Sequence, residues 1–113
     1  MKIKTSELTG RALDWAVACC DGFDINSLIG MPRITPEYST DWSECGPLIE
    51  KFSIELVNEL LDCVLFWSAN CNYVSDDYLD GQTPQIAICR AVVAAQLGDE
   101  IDIPDDLLEK NQS

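Results

Sequence analysis

With twenty acidic residues, seven basic ones and no histidine among its 113 residues, the chain carries a net charge of −13. That length suits one domain with a core of its own, needing neither metal nor disulfide, and a hydrophobic share of 47% argues against wholesale disorder. The acid excess argues against direct binding of nucleic acid or an anionic membrane, because both repel such a surface.

Residues 1–7 are expected to fray. The stretch from Thr5 to Gly22, TSELTGRALDWAVACCDG, reads as a helix, with Thr9 as its N-cap and Gly22 as its stop. Arg11, Asp14, Ala18 and Asp21 make its wet stripe. Leu13, Ala16, Val17 and Cys20 make the buried one, flanked by Ala12, Trp15 and Cys19. From Phe23 to Pro47 the pattern dissolves among Gly30, Pro32, Pro36, Gly46 and Pro47, which predicts a long connection. Such connections, when ordered, are usually functional.

The segment FSIELVNELLDCVLFWSANCNYV is open to two readings. Val57, Leu60, Leu61 and Val64 fit a helix. Phe52, Ile54 and Leu56, then Cys63, Leu65 and Trp67, fit two alternating strands about a turn at residues 58–62. Aromatic and β-branched content favours the hairpin. An acidic loop, SDDYLDGQ, follows. The next stretch, TPQIAICRAVVAAQLG, is a helix capped by Thr83, begun by Pro84 and ended by Gly98, with Gln85 and Gln96 on its exposed side. The tail holds a short extended piece and a turn of helix, and residues 108–113 are expected to fray. The fold predicted is α+β: a single small domain spanning 1–113, with an N-terminal helix, antiparallel strands or hairpin, and a C-terminal helix.

Six cysteines form no C-x-x-C pair, and adjacent Cys19 and Cys20 diverge by about 100° on a helix. They are expected to be reduced thiols acting as small hydrophobes. No metal and no cofactor is expected. The acid pairs Asp76/Asp77 and Asp105/Asp106 read as solvated faces rather than cation sites. The longest charge-free apolar run of the first helix, Trp15 to Cys20, is too short for a signal or membrane segment. Residues 52–71 are interrupted by Glu55, Glu59 and Asp62. A cytoplasmic protein is expected.

Two groups of residues could bind a ligand. Arg90 lies on the helix side opposite Gln85, among Ile86, Ala87, Val93, Ala94 and Leu97, where its guanidinium must be paired or led to an edge. It reads either as half of a salt bridge or as a fork for a ligand phosphate or carboxylate. The loop YSTDWSECGP offers the rings of Tyr38 and Trp42, polar Ser39, Thr40, Asp41 and Ser43, and Gly46, past which backbone N–H groups could approach a ligand closely. Rings, hydroxyls and an arginine together would suit a nucleotide-like molecule, with stacking worth about 1–3 kcal/mol per base. The rings could equally be lids over the core. Catalysis finds little support: general base work would fall to carboxylates, and no nucleotide-binding or nucleophile-elbow pattern occurs.

At TSELTGRALDWAVA (5–18), STDW (39–42), GPLIE (46–50), TP (83–84) and LGDEIDIPDDL (97–107), the chain resembles the NinX-type family, small accessory proteins of tailed bacteriophages without an assigned activity. The resemblance implies an α+β domain expressed in a bacterial cytoplasm and brings no catalytic residues with it. Cys45 departs from it, standing where a second glycine is expected, as do Leu60 and Leu61 in the expected hairpin turn. Two functions are therefore weighed. In the first, a non-catalytic and oligomeric binder sequesters a small nucleotide-derived host immune signal through Tyr38, Ser39, Thr40, Asp41, Trp42, Gly46 and Arg90. In the alternative, an acidic interaction protein imitates phosphate and inhibits a basic nucleic-acid-handling host factor. Twelve acids against the single base Arg90 between residues 52 and 109 are the basis of the second.

Overall fold

A computed structural model describes residues 2–21, 36–71 and 78–103. In chain order these form β1 (Lys2–Lys4), a 3-10 turn (Thr5–Glu7), α1 (Gly10–Cys20), α2 (Trp42–Lys51), β2 (Ile54–Leu61), β3 (Val64–Cys71), β4 (Leu79–Gly81), α3 (Pro84–Leu97) and β5 (Glu100–Asp102). The fold is α+β, with two antiparallel sheets, β1–β5 and β2–β3–β4. Gly22, Gly30, Pro32, the start of the acidic loop (75–77), and everything expected of residues 104–113 lie outside the described residues.

The hydrophobic core centres on α3. It packs on the three-stranded sheet, α1, α2 and the 3-10 turn, and Ala87, Ile88, Cys89, Ala91, Val92 and Val93 are all buried. A helix covered on several sides has little need of a polar face, and this one is apolar almost all round. Its ends follow the sequence. Thr83 accepts the Ile86 N–H at 3.2 Å, Pro84 takes the first turn, and Gly98 ends the helix at φ 96°, a conformation that costs other residues strain. No helix among the described residues is long and apolar enough to cross a membrane.

The ambiguous segment is a hairpin, but its turn is not at residues 58–62. Ile54 pairs with Cys71 and the register runs without a break to Leu61 opposite Val64. The two-residue turn is Asp62–Cys63, with φ 50° and 64°. Positive φ at both positions is the primed geometry that matches strand twist. Leu60 and Leu61 belong to β2, since the tighter turn lets more backbone pairs form.

The long connection is also shorter than expected. Pro47 lies within α2 rather than ending a loop. Asp41 caps that helix and Glu44 sits in its first turn, the D-x-x-E arrangement that favours helix initiation. Pro47 costs the backbone bond to the Ser43 carbonyl, and its ring is exposed. Residues 2–7, expected to fray, are held instead. β1 pairs with β5, setting Lys2 opposite Asp102, Lys4 opposite Glu100 and Ile3 opposite Ile101. Buried Thr5 donates its N–H to the Asp99 carbonyl at 2.7 Å and its hydroxyl to the Gly98 carbonyl at 2.6 Å. The pairing joins positions almost a hundred residues apart, beyond the reach of local pattern.

Candidate functional site

The loop residues expected to form a pocket are largely engaged with α1. Tyr38 is 2% exposed and donates its hydroxyl to Asp21 at 2.9 Å. Burial first, and then the Asp21 carboxylate, pushes that phenol above its ordinary range. Buried Ser39 donates its N–H to Asp14 at 2.8 Å. The helix pattern is corrected here: Asp14 and Ala18, assigned to the wet stripe, are buried, Asp14 against the backbone of Ser39. Burial raises the Asp14 carboxyl above its ordinary value, with the Ser39 backbone bond pulling part of the way back.

Thr40 is exposed, its N–H donating to the Glu37 carbonyl at 3.1 Å. Asp41 accepts the Ser43 N–H at 2.9 Å and the Ser43 hydroxyl at 2.7 Å, and these bonds, the hydroxyl's first, lower its carboxyl pKa. Its carboxylate therefore sits at the N-terminus of α2, where a ligand phosphate would otherwise find favourable helix charge. Trp42 is 47% exposed. Gly46 is inside α2, and a Cβ built on it meets nothing within 4 Å among the described residues, so no close approach of a described group accounts for the glycine.

Arg90 is anchored elsewhere. Its Nε donates to the Leu8 carbonyl at 3.0 Å and its Nη1 to the Asp80 carbonyl at 2.6 Å. Half-burial lowers its pKa, opposed by the nearby Asp80 charge. Of the two partners weighed for it, carboxylate or ligand, these bonds use neither: main-chain oxygens within β4 and before α1 take its head group. The structure thus joins Tyr38 and Ser39 to α1, leaves Trp42 in solvent, and ties Arg90 to β4.

A different face emerges from the strand register. Glu55, Val57 and Glu59 of β2 lie on the same side of the sheet as Asn70, Ser68, Phe66 and Val64 of β3, with Asp80 of β4 opposite Ser68. The other side carries Ile54, Ala69 and Cys71 into the core. On the outer side the buried Ser68 hydroxyl lies 2.9 Å from Glu59 Oε2 and 2.7 Å from Asp80 Oδ1. Tyr78 donates to Glu55 at 2.7 Å. Asn70 is buried, and its side-chain carbonyl oxygen has no partner among the described residues.

Towards the hairpin tip this face carries Val64, 61% exposed, while Leu60 and Leu65, 69% and 59% exposed, lie on the opposite side of the sheet. A hollow of about 350 Å³ is lined by Val64, Phe66, Asp80, Gly81 and Gln82. Asp62 is exposed at the turn. Arg90, already spoken for, is the only base between residues 52 and 103. The signal for this face was present as Glu55, Val57 and Glu59 at alternate positions, but the expected turn at 58–62 took Glu59 out of the strand. A larger hollow of about 670 Å³ opens among Lys4, Thr5, Ser6, Leu79, Ala94, Asp99 and Glu100, mixed in charge.

The cysteines among the described residues are free. Cys89, hydrogen-bonded to Cys45 and buried, is held protonated well above the ordinary thiol range, and burial pushes Cys20 up to about 12. Among the described residues no group of three or more Cys, Asp or Glu side chains is placed to hold a metal ion. A search of the curated proteins found no match. A sequence model of the family described as Bacteriophage P22, NinX, matches residues 4–96, most of the chain.

Proposed function

This chain belongs to the Bacteriophage P22 NinX family, and from that premise we propose that it acts by binding rather than by catalysis, its target a basic nucleic-acid-handling protein in the cytoplasm of the infected cell. The single observation that carries this reading is the outer face of the β2–β3–β4 sheet. Glu55, Glu59 and Asp80 are exposed there beside uncovered Val64, with Asp62 exposed at the turn and Leu60 and Leu65 uncovered on the opposite side of the hairpin tip. Carboxylates around apolar side chains give long-range attraction for a basic surface and apolar area to bury once it arrives. A row of carboxylates also competes with nucleic acid for the same surface. The test is affinity capture of host proteins on the immobilised chain, with the captured protein then assayed for nucleic-acid binding. A basic partner should be released between about 50 and 200 mM salt and should lose its nucleic acid to the phage protein in proportion. A partner held unchanged through that range, with its nucleic acid still bound, would contradict the reading.

The second reading, a sponge for a nucleotide-derived host signal, is favoured by one feature: the exposed Trp42 ring beside the Thr40 and Ser43 hydroxyls, a platform on which a base could stack. Its other expected members are engaged elsewhere, and the carboxylate of Asp41 opposes an anionic ligand. The homo-oligomer expected with that reading is checked by light scattering. Calorimetry against cyclic dinucleotides and cyclic ADP-ribose isomers should give no heat if the first reading is right.

A further inference from the structure

Resting on the reading of this chain as an acidic binder, we infer that the outer face of the β2–β3–β4 sheet receives one lysine side chain of its partner. The aliphatic stem lies along Val64 and Phe66, and the ammonium sits between the carboxylates of Glu59 and Asp80.

The proton count on this face comes first. The Ser68 hydroxyl meets Glu59 Oε2 at 2.9 Å and Asp80 Oδ1 at 2.7 Å. A serine hydroxyl has one proton to give, so it donates to one carboxylate and turns a lone pair towards the other. One position along the same face of β3, the buried side-chain carbonyl of Asn70 has no partner among the described residues. The two carboxylates share the one serine proton, and a donor brought from outside would serve the one left without it.

The shape of the hollow selects the donor. Val64 and Phe66 are two of its five lining residues, and Asp80 is another. A lysine matches that division, with a four-carbon stem that buries readily and an ammonium that keeps to the polar rim. Its three diverging donors reach two separate carboxylates, whereas a planar guanidinium is best matched by one carboxylate held edge to edge. The charge is complementary, since no base other than Arg90 lies between residues 52 and 103, and Arg90 serves the Leu8 and Asp80 carbonyls. A second copy of this chain, at net charge −13, is repelled as a partner.

The experiment titrates the isotopically labelled chain with a peptide of eight lysines at low salt, following amide shifts and heat. It compares the wild type with the pair Glu59→Gln and Asp80→Asn, and with a remote pair, Glu7→Gln and Glu50→Gln. Spectra without peptide verify that each variant keeps the fold. Shifts should concentrate at Glu59, Val64, Phe66, Ser68 and Asp80. The first pair should weaken binding by about tenfold or more and the remote pair by less than about threefold, as expected when specific rather than diffuse charge is removed. Equal weakening by both pairs would overturn the lysine site and leave the acidic-binder reading standing. A peptide of eight arginines that binds more tightly with the same shifts would overturn the choice of lysine. The same shifts on concentrating the chain alone would make a second copy the occupant and overturn the inference. Absence of binding to any basic peptide would overturn both the site and the reading beneath it.

Discussion

Arg90 holds two backbone carbonyls, from Leu8 and Asp80, and so ties the lead-in to α1 to β4 through α3. Hydrogen bonds from a charged donor are worth about 1.5–3 kcal/mol, so Arg90→Ala should lower stability by about 2–3 kcal/mol in urea unfolding. Arg90→Lys, unable to span both carbonyls, should recover only part of this. A variant that unfolds like the wild type would show that the clamp carries little. Asp14 makes a pH-dependent counterpart. Its carboxyl is raised in the folded chain above an ordinary value of 3.8, so folding favours the protonated form. The associated stability is present below that value and is lost as pH rises through the raised one. Asp14→Asn keeps an acceptor for the Ser39 N–H, and its melting temperature relative to wild type should climb as pH is raised from 4. A constant difference would contradict the assignment. Sequence made it evident that Arg90 needed a partner. That the partner would be carbonyl oxygen rather than carboxylate depends on where β4 ends up.

Among the elements, α3 was legible because cap, apolar pattern and stop agree at Thr83, Pro84 and Gly98, and α1 was legible as a helix though Asp14 and Ala18 were misassigned on it. The hairpin was legible in kind but not in register. Asp62 and Cys63 both occupy the left-handed region, where neither residue type advertises itself as glycine would. Each such residue costs about 1–2 kcal/mol, so Cys63→Gly should stabilise the hairpin by about 1 kcal/mol on thermal unfolding. α2 was hidden by Gly46 and Pro47, which mimic a break that Asp41 and Glu44 override. Since nothing among the described residues lies within 4 Å of a Cβ at Gly46, Gly46→Ala should add about 0.5–1 kcal/mol through helix propensity. Gly81 is the opposite case. A Cβ there would meet the Ala87 backbone nitrogen at 2.5 Å, where β4 passes the first turn of α3. Gly81→Ala should therefore cost about 1–3 kcal/mol through overpacking, and a neutral result would mean the strand can retreat from the helix.

For the whole molecule, charge is the property that sequence and structure express together. The excess of acid was readable from composition, while its placement around an apolar hairpin tip required the register that sets Glu59, Ser68 and Asp80 together. The ring-and-arginine pocket required three segments to meet, and their observed anchors differ: α1 for Tyr38 and Ser39, solvent for Trp42, β4 for Arg90. The most direct measurement is a parallel amide-shift titration of one labelled sample with the lysine peptide and with a panel of cyclic nucleotides. An acidic binder predicts shifts at Glu59, Val64, Phe66 and Asp80 with the peptide and a silent spectrum with the nucleotides. Shifts at Ser39 to Ser43 on adding a nucleotide, with the sheet face unmoved by the peptide, would contradict it.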